Sequence, residues 1–226
     1  MKKSLLTLCL AAVCATATAK PYPAHDMGQV LTTNHIDISA ADKIYDDLST
    51  HAGMYPPQFD NADDKAQATT EVRALIALFN GMLAENIITP EHEYYRGMLF
   101  RLARLNWIAH NLDVPDAATA ADKHFQQLLP LLSGKEKADI QYEYGSFLAS
   151  SAQIERAIPV LQAAVAVGNK KAHKALAMAL LAQDKKADTI REMKTYLQLF
   201  PQDSDAQHLL QAIETGNIRR ENVSAK

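Results

Sequence analysis

Eight histidines are spread through the chain, His25, His35, His51, His92, His110, His124, His173 and His208. Histidine is the residue type best suited to proton transfer and metal ligation near neutral pH. No two of them fall three or four apart on one helical stretch, so none builds the first pair of a zinc site. His25-Asp26 and His92-Glu93 set an imidazole beside a carboxylate, and solvated surface histidines are the plainer reading of both. The chain has no H-E-x-x-H, no G-x-S-x-G and no glycine-rich phosphate loop, and its two cysteines, Cys9 and Cys14, both lie near the start. No cofactor, metal or catalytic set is therefore expected. The alternative is a hydrolytic or metal-assisted envelope enzyme with a pocket where the N-terminal helices meet the rest. It would have to use His92, Glu93 and Tyr95, with no nucleophile–base–orienter set in view.

Binding is the other chemistry on offer. Residues 91–112, "EHEYYRGMLFRLARLNWIAHNL", gather Tyr94, Tyr95, Phe100 and the single tryptophan, Trp107, with Arg96, Arg101 and Arg104. Aromatic and arginine side chains are the usual anchors of protein interfaces. Apolar residues on more than one face of this stretch instead favour a helix enclosed by neighbours, its arginines paired to nearby carboxylates.

The positioning elements begin with the ends of the chain. "MKKSLLTLCLAAVCATATAK" places Lys2 and Lys3 before an apolar run and an Ala17-Thr18-Ala19 site, the layout of a secretory signal peptide cleaved after Ala19. The run is too short to span a bilayer. Cleavage leaves about 207 residues without cysteine, so the core must hold the fold without disulfides. Losing Lys2 and Lys3 leaves 21 basic against 26 acidic residues, a charge near −5. With no basic stripe, nucleic acid is not an expected partner.

Residues 20–38 hold two prolines and no helical period, and read as an extended N-terminal arm. Beyond them the pattern is helical, with no strand-like alternation. Caps and breakers, such as Ser39 with Asp42, Thr89-Pro90, Ser133-Gly134-Lys135-Glu136 and Gly168-Asn169, divide it into about nine helices. The expected spans are 39–51, 62–86, 90–112, 116–132, 135–150, 152–167, 170–183, 186–200 and 203–215, followed by a frayed tail at 216–226. The class is all-α, antiparallel helix hairpins in a row.

Three helix pairs starting at Leu102, Ala138 and Lys170 repeat at close to the 34-residue spacing of helical arrays. Ile108, Ala109, Leu112, Ala121 and Phe125 in the first pair align with Tyr144, Gly145, Leu148, Ala157 and Leu161 in the second, with Leu105 before the first set and Ala164 after the second. Leu176, Ala177, Leu180, Met193 and Pro201 follow in the third. In these residues the chain resembles the tetratricopeptide-repeat family, and "QAAVAVGNKKAHKALA" is also similar to Sel-like repeats. The resemblance covers about 100–215, with 39–99 as N-terminal helices that form a further degenerate pair. It implies a short right-handed superhelical solenoid whose first helices line a concave groove. Carried onto this sequence, the groove residues are Asn106, His110, Asp139, Tyr142, Ser146, Lys171, Lys174 and His208. The paired Lys and Asn of the carboxylate-clamping subfamily are not present. Together with the signal-like first residues, the resemblance implies a non-enzymatic periplasmic or secreted scaffold that binds another envelope or secreted protein, or a second copy of itself. Small residues at the helix contacts imply close approach, with Gly145→Ala tolerated and Gly145→Leu overpacked.

Overall fold

The structure is a computed structural model that describes residues 21–32 and 35–216. The expected signal peptide, its cleavage after Ala19 and the tail beyond Gly216 lie outside those residues. The described chain is helical: α1 (Met27–Val30), α2 (Ile38–Ala52), α3 (Ala62–Ala84), α4 (Tyr95–Asn111), α5 (Ala117–Leu128), α6 (Gly134–Ser150), α7 (Ile154–Ala166), α8 (Ala172–Ala182), α9 (Lys186–Leu199) and α10 (Ser204–Thr215). Among the described residues there is no strand; Leu31 and Ile36 make one isolated bridge.

Connections of three to five residues from α4 onward force each helix to run back along its predecessor. The tightest packing is accordingly within three hairpins, α4 with α5, α6 with α7 and α8 with α9, and α7 joins the second hairpin to the third. The helix α10 closes the row against α9. The interior is a succession of clusters, not one centre. A first runs from Tyr22 to Ala117, a second centres on Phe125, Phe147 and Leu161, and a third holds Met193, Tyr196 and Ala206. Each hairpin thus buries its apolar face on its neighbours, the arrangement of a tetratricopeptide-like helical array. The register set by sequence places Leu105, Ile108, Ala121, Phe125, Leu148, Leu161, Leu176 and Met193 inside. Phe125 stacks on Tyr144 at 5.2 Å and on Phe147 at 5.8 Å, which adds about 0.5–1.5 kcal/mol per pair to simple burial.

Several expectations are corrected. The helix expected from Ser39 begins at Ile38, because Asp37 caps it by accepting from the Ala40 N–H at 3.0 Å. The helix expected from Pro90 begins at Tyr95; residues 89–94 form turns. The α5 helix stops at Leu128, and Pro130 sits in a 3-10 turn over Leu129–Leu131. Pro159 lies inside α7 on its exposed face, where the unmatched carbonyl one turn back can meet water.

The N-terminal arm is docked. Tyr22 is 5% exposed, its backbone N–H donates to Asp64 Oδ2 at 3.1 Å, and its hydroxyl donates to Glu71 Oε2 at 2.6 Å. Its ring stands edge-on to His25, His51 and Phe59. The His25 side chain is buried between two helices, Nε2 at 3.0 Å from Asp47 of α2 and Nδ1 at 2.9 Å from Glu71 of α3. Val30 is fully buried. The segment therefore continues the first cluster instead of standing free.

Gly145 is the second packing correction. A Cβ built there would lie 2.5 Å from Cγ and 2.7 Å from Cδ2 of Leu161, a fully buried side chain. Even alanine overfills this crossing of α6 and α7.

Candidate functional site

The helix α4 carries the aromatic and arginine stretch. Its guanidiniums join elements: Arg96 to Glu136 and Arg104 to Glu143, each at 3.1 Å, tie α4 to α6, and Arg101 pairs with Asp42 of α2. Trp107 is 8% exposed, edge-on to Phe147 at 5.8 Å and under the Arg104 guanidinium at 4.6 Å. Its indole N–H finds no acceptor among the described residues. Tyr94, by contrast, is exposed.

Three recesses open on the side formed by α4, α6 and α8, and Tyr142 lines all of them. The largest, about 810 Å³, lies between Phe100, the Asp139–Glu143 turn of α6, the α7–α8 connection and Phe200. A second of about 360 Å³ is walled by Lys171, Lys174, Met178, Tyr196 and Phe200. The third, about 540 Å³, lies between Met54 and Tyr55 on one side and Arg104, Trp107, Ser146 and Ser150 on the other. Met54 is 82% exposed and Tyr55 69%, so this lobe has an apolar lip. The first helices α4, α6 and α8 supply most of the helical lining, and Tyr196 of α9 adds to it.

The local chemistry is set by pairs. Burial pushes the Tyr142 phenol up, helped by the adjacent Glu143 carboxylate, so the ring presents a neutral hydroxyl. Asp139 accepts from Lys135 at 2.5 Å and from Asn169 at 2.9 Å. Asp203 accepts from Lys174 at 2.9 Å and from Tyr196 at 2.8 Å, and caps α10 through the Ala206 N–H. The Lys174 ammonium holds the Asp203 carboxyl down at about 2, while burial and then Asp203 push the Tyr196 phenol up to about 12. Lys174 also lies 5.4 Å over the Tyr196 ring. The face thus presents recesses, aromatic rings and paired charges.

Of the residues expected in the groove, Asp139, Tyr142, Ser146, Lys171 and Lys174 come together here. Asn106, His110 and His208 do not line these recesses. Asn106 is 4% exposed and donates to the Leu102 carbonyl of its own helix, on a helix packed against α2 and α3 as well as its hairpin partner α5. His110 is half-buried and His208 exposed. His92 and Glu93 are exposed in the turns before α4 and Tyr95 packs on the first cluster, all three apart from the recesses. Among the described residues no group of three or more His, Cys, Asp or Glu side chains is placed to hold a metal ion. The unexpected contributors are Met54, Tyr55, Phe100, Tyr196 and Phe200. Tyr196 gave a signal, since it stands at the place that Ala164 takes in the preceding pair.

The fold defines a tetratricopeptide-like helical-repeat array with an aromatic groove on one side. No protein-family model matches the chain, and no curated protein matches it. One solved structure that it is similar to is the "MamA RS-1 ArsTM double mutant", at 17% identity over 78% of this chain and 85% of that one, with a TM-score of 0.47.

Proposed function

We propose that this chain is a non-enzymatic protein-binding scaffold of the bacterial cell envelope, exported by its N-terminal segment and released after Ala19. The reading rests on one observation above others: three recesses share a single aromatic side chain, Tyr142, on a face built from the first helices of consecutive hairpins. A preformed surface of this kind binds an extended or helical segment with little ordering cost on its own side. Export is supported by the signal-like first 19 residues and the lack of cysteine after them. No described helix is long and apolar enough to cross a membrane.

The test has two readouts. Protein recovered from the envelope fraction should begin at Lys20 by N-terminal sequencing; a retained Met1 removes the export reading. Crosslinking in intact cells should yield defined partners whose capture is lost on Tyr142→Ala with Lys171→Ala while the helical signal is unchanged. Capture indifferent to both changes moves the site elsewhere.

A further inference from the structure

We infer that the groove takes an acidic, extended polypeptide segment, whose carboxylates meet Lys170 and Lys171 while its apolar side chains enter the lobes around Tyr142. This rests on the groove being the binding face. The argument is one of charge. The whole chain is acidic, 26 Asp and Glu against 23 Lys and Arg. The recess lining reverses that balance, with Arg104, Lys135, Lys170, Lys171 and Lys174 against only Asp139 and Glu143. Both of those carboxylates are already engaged, Asp139 by Lys135 and Asn169, Glu143 by Arg104. Lys174 is spent on Asp203. Lys170 and Lys171 are exposed and make no ion pair among the described residues. The concave lining thus holds uncompensated positive charge beside aromatic walls, on a molecule that elsewhere repels acidic partners. Such complementarity sets orientation and association rate more than affinity.

The occupant is a polypeptide and not a lipid surface, because the charge lies next to recesses lined by Phe100, Tyr142 and Phe200, which need protruding side chains to fill them. A flat anionic bilayer leaves them empty.

The experiment uses the mature chain and three pools of short fluorescent peptides. All contain the same Leu and Tyr, with the other positions filled by Glu, by Gln or by Lys, and phosphatidylglycerol vesicles form a fourth arm. The Glu pool should bind about fivefold tighter than the Gln pool, the effect of two exposed ion pairs, and lose that advantage at high salt. The Lys170→Glu, Lys171→Glu double variant should invert the preference. It should remain folded, since negative charge at the start of α8 suits the helix dipole. Equal, Tyr142-dependent binding of all pools overturns the acidic preference and leaves the groove reading standing. No Tyr142-dependent binding by any pool overturns both. Binding to the vesicles alone also overturns the inference.

Discussion

A Cβ placed on Gly145 would stand 2.5 Å from Cγ of Leu161, at the crossing of α6 and α7. Leu161 is fully buried, and its own backbone nitrogen lies 3.4 Å from the same point, so the side chain has little room to retreat. Gly145→Ala therefore costs about 1–3 kcal/mol despite alanine's better helix propensity, and Gly145→Leu costs more. Urea denaturation of the two variants reads this directly. Leu161→Ala placed together with Gly145→Ala should recover part of the loss relative to Leu161→Ala alone, since the added methyl then occupies the vacated volume. Wild-type stability in Gly145→Ala would mean that the hairpin is looser than its geometry.

Glu71 is the hub of the N-terminal clasp. Its Oε2 accepts from the Tyr22 hydroxyl and faces His25 Nδ1, and its Oε1 accepts from Gln67 at 2.8 Å. With Glu71 3% exposed, Glu71→Ala strips Tyr22, His25 and Gln67 of one partner each and costs about 3 kcal/mol. Tyr22→Phe removes a single bond and costs about 1 kcal/mol. Hydrogen exchange localises the effect: residues 21–30 should lose protection first, while α6–α10 keep theirs. A uniform loss across the chain would contradict the separation of the first cluster from the rest.

The closing helix α10 should loosen at both extremes of pH. Asp203, held at about 2 against its usual 3.8, is more acidic folded than unfolded. Its contribution is complete above 3.8 and disappears as pH falls toward 2. Tyr196 has the opposite sign: raised from 10.0 to about 12, it contributes fully below 10 and is lost as pH climbs through 12. Asp203→Asn keeps a side chain able to cap α10 but removes the titration, so the acid dependence of melting should flatten. Tyrosinate absorbance follows the alkaline side. An unaltered acid limb in Asp203→Asn would assign that limb to other carboxylates.

Periodicity made the array legible, because each buried Ala, Leu or Phe repeats in phase with its helix. Phe125, Leu148, Leu161 and Leu176 are inside for the reason their spacing suggests. Pairwise geometry was not legible. Nothing in the string "KPYPAHDMGQV" announces that Tyr22 and His25 reach residues more than 20 positions away on α2 and α3. The burial of Asn106 is likewise tertiary, on a helix that packs against α2 and α3 as well as against α5. In the sequence Gly145 is one small residue among several, yet only the crossing distance to Leu161 separates a place for alanine from a place for glycine. In the groove, α6 and α8 follow the repeat rule, whereas Met54 and Tyr55 arrive from a connection that belongs to no repeat.

Tyr142 and Asn106 occupy equivalent places in successive repeats, and the structure gives them different work. Tyr142 is half-buried and lines all three recesses of the groove; Asn106 is enclosed and bonds to its own helix at 2.8 Å. Truncating each should separate binding from stability. Asn106→Ala should lower stability by about 1 kcal/mol and leave partner affinity unchanged. Tyr142→Ala should lose at least about tenfold in affinity at temperatures where the variant is fully helical, the scale of an interface anchor. Trp107 supplies the signal for this measurement. It is the single tryptophan and lines the lobe rimmed by Met54 and Tyr55, so an occupant there should shift its emission. The shift should persist in Asn106→Ala and vanish in Tyr142→Ala. Were Asn106→Ala the variant that lost binding while Tyr142→Ala kept it, the docking face would not be the one that Tyr142 lines.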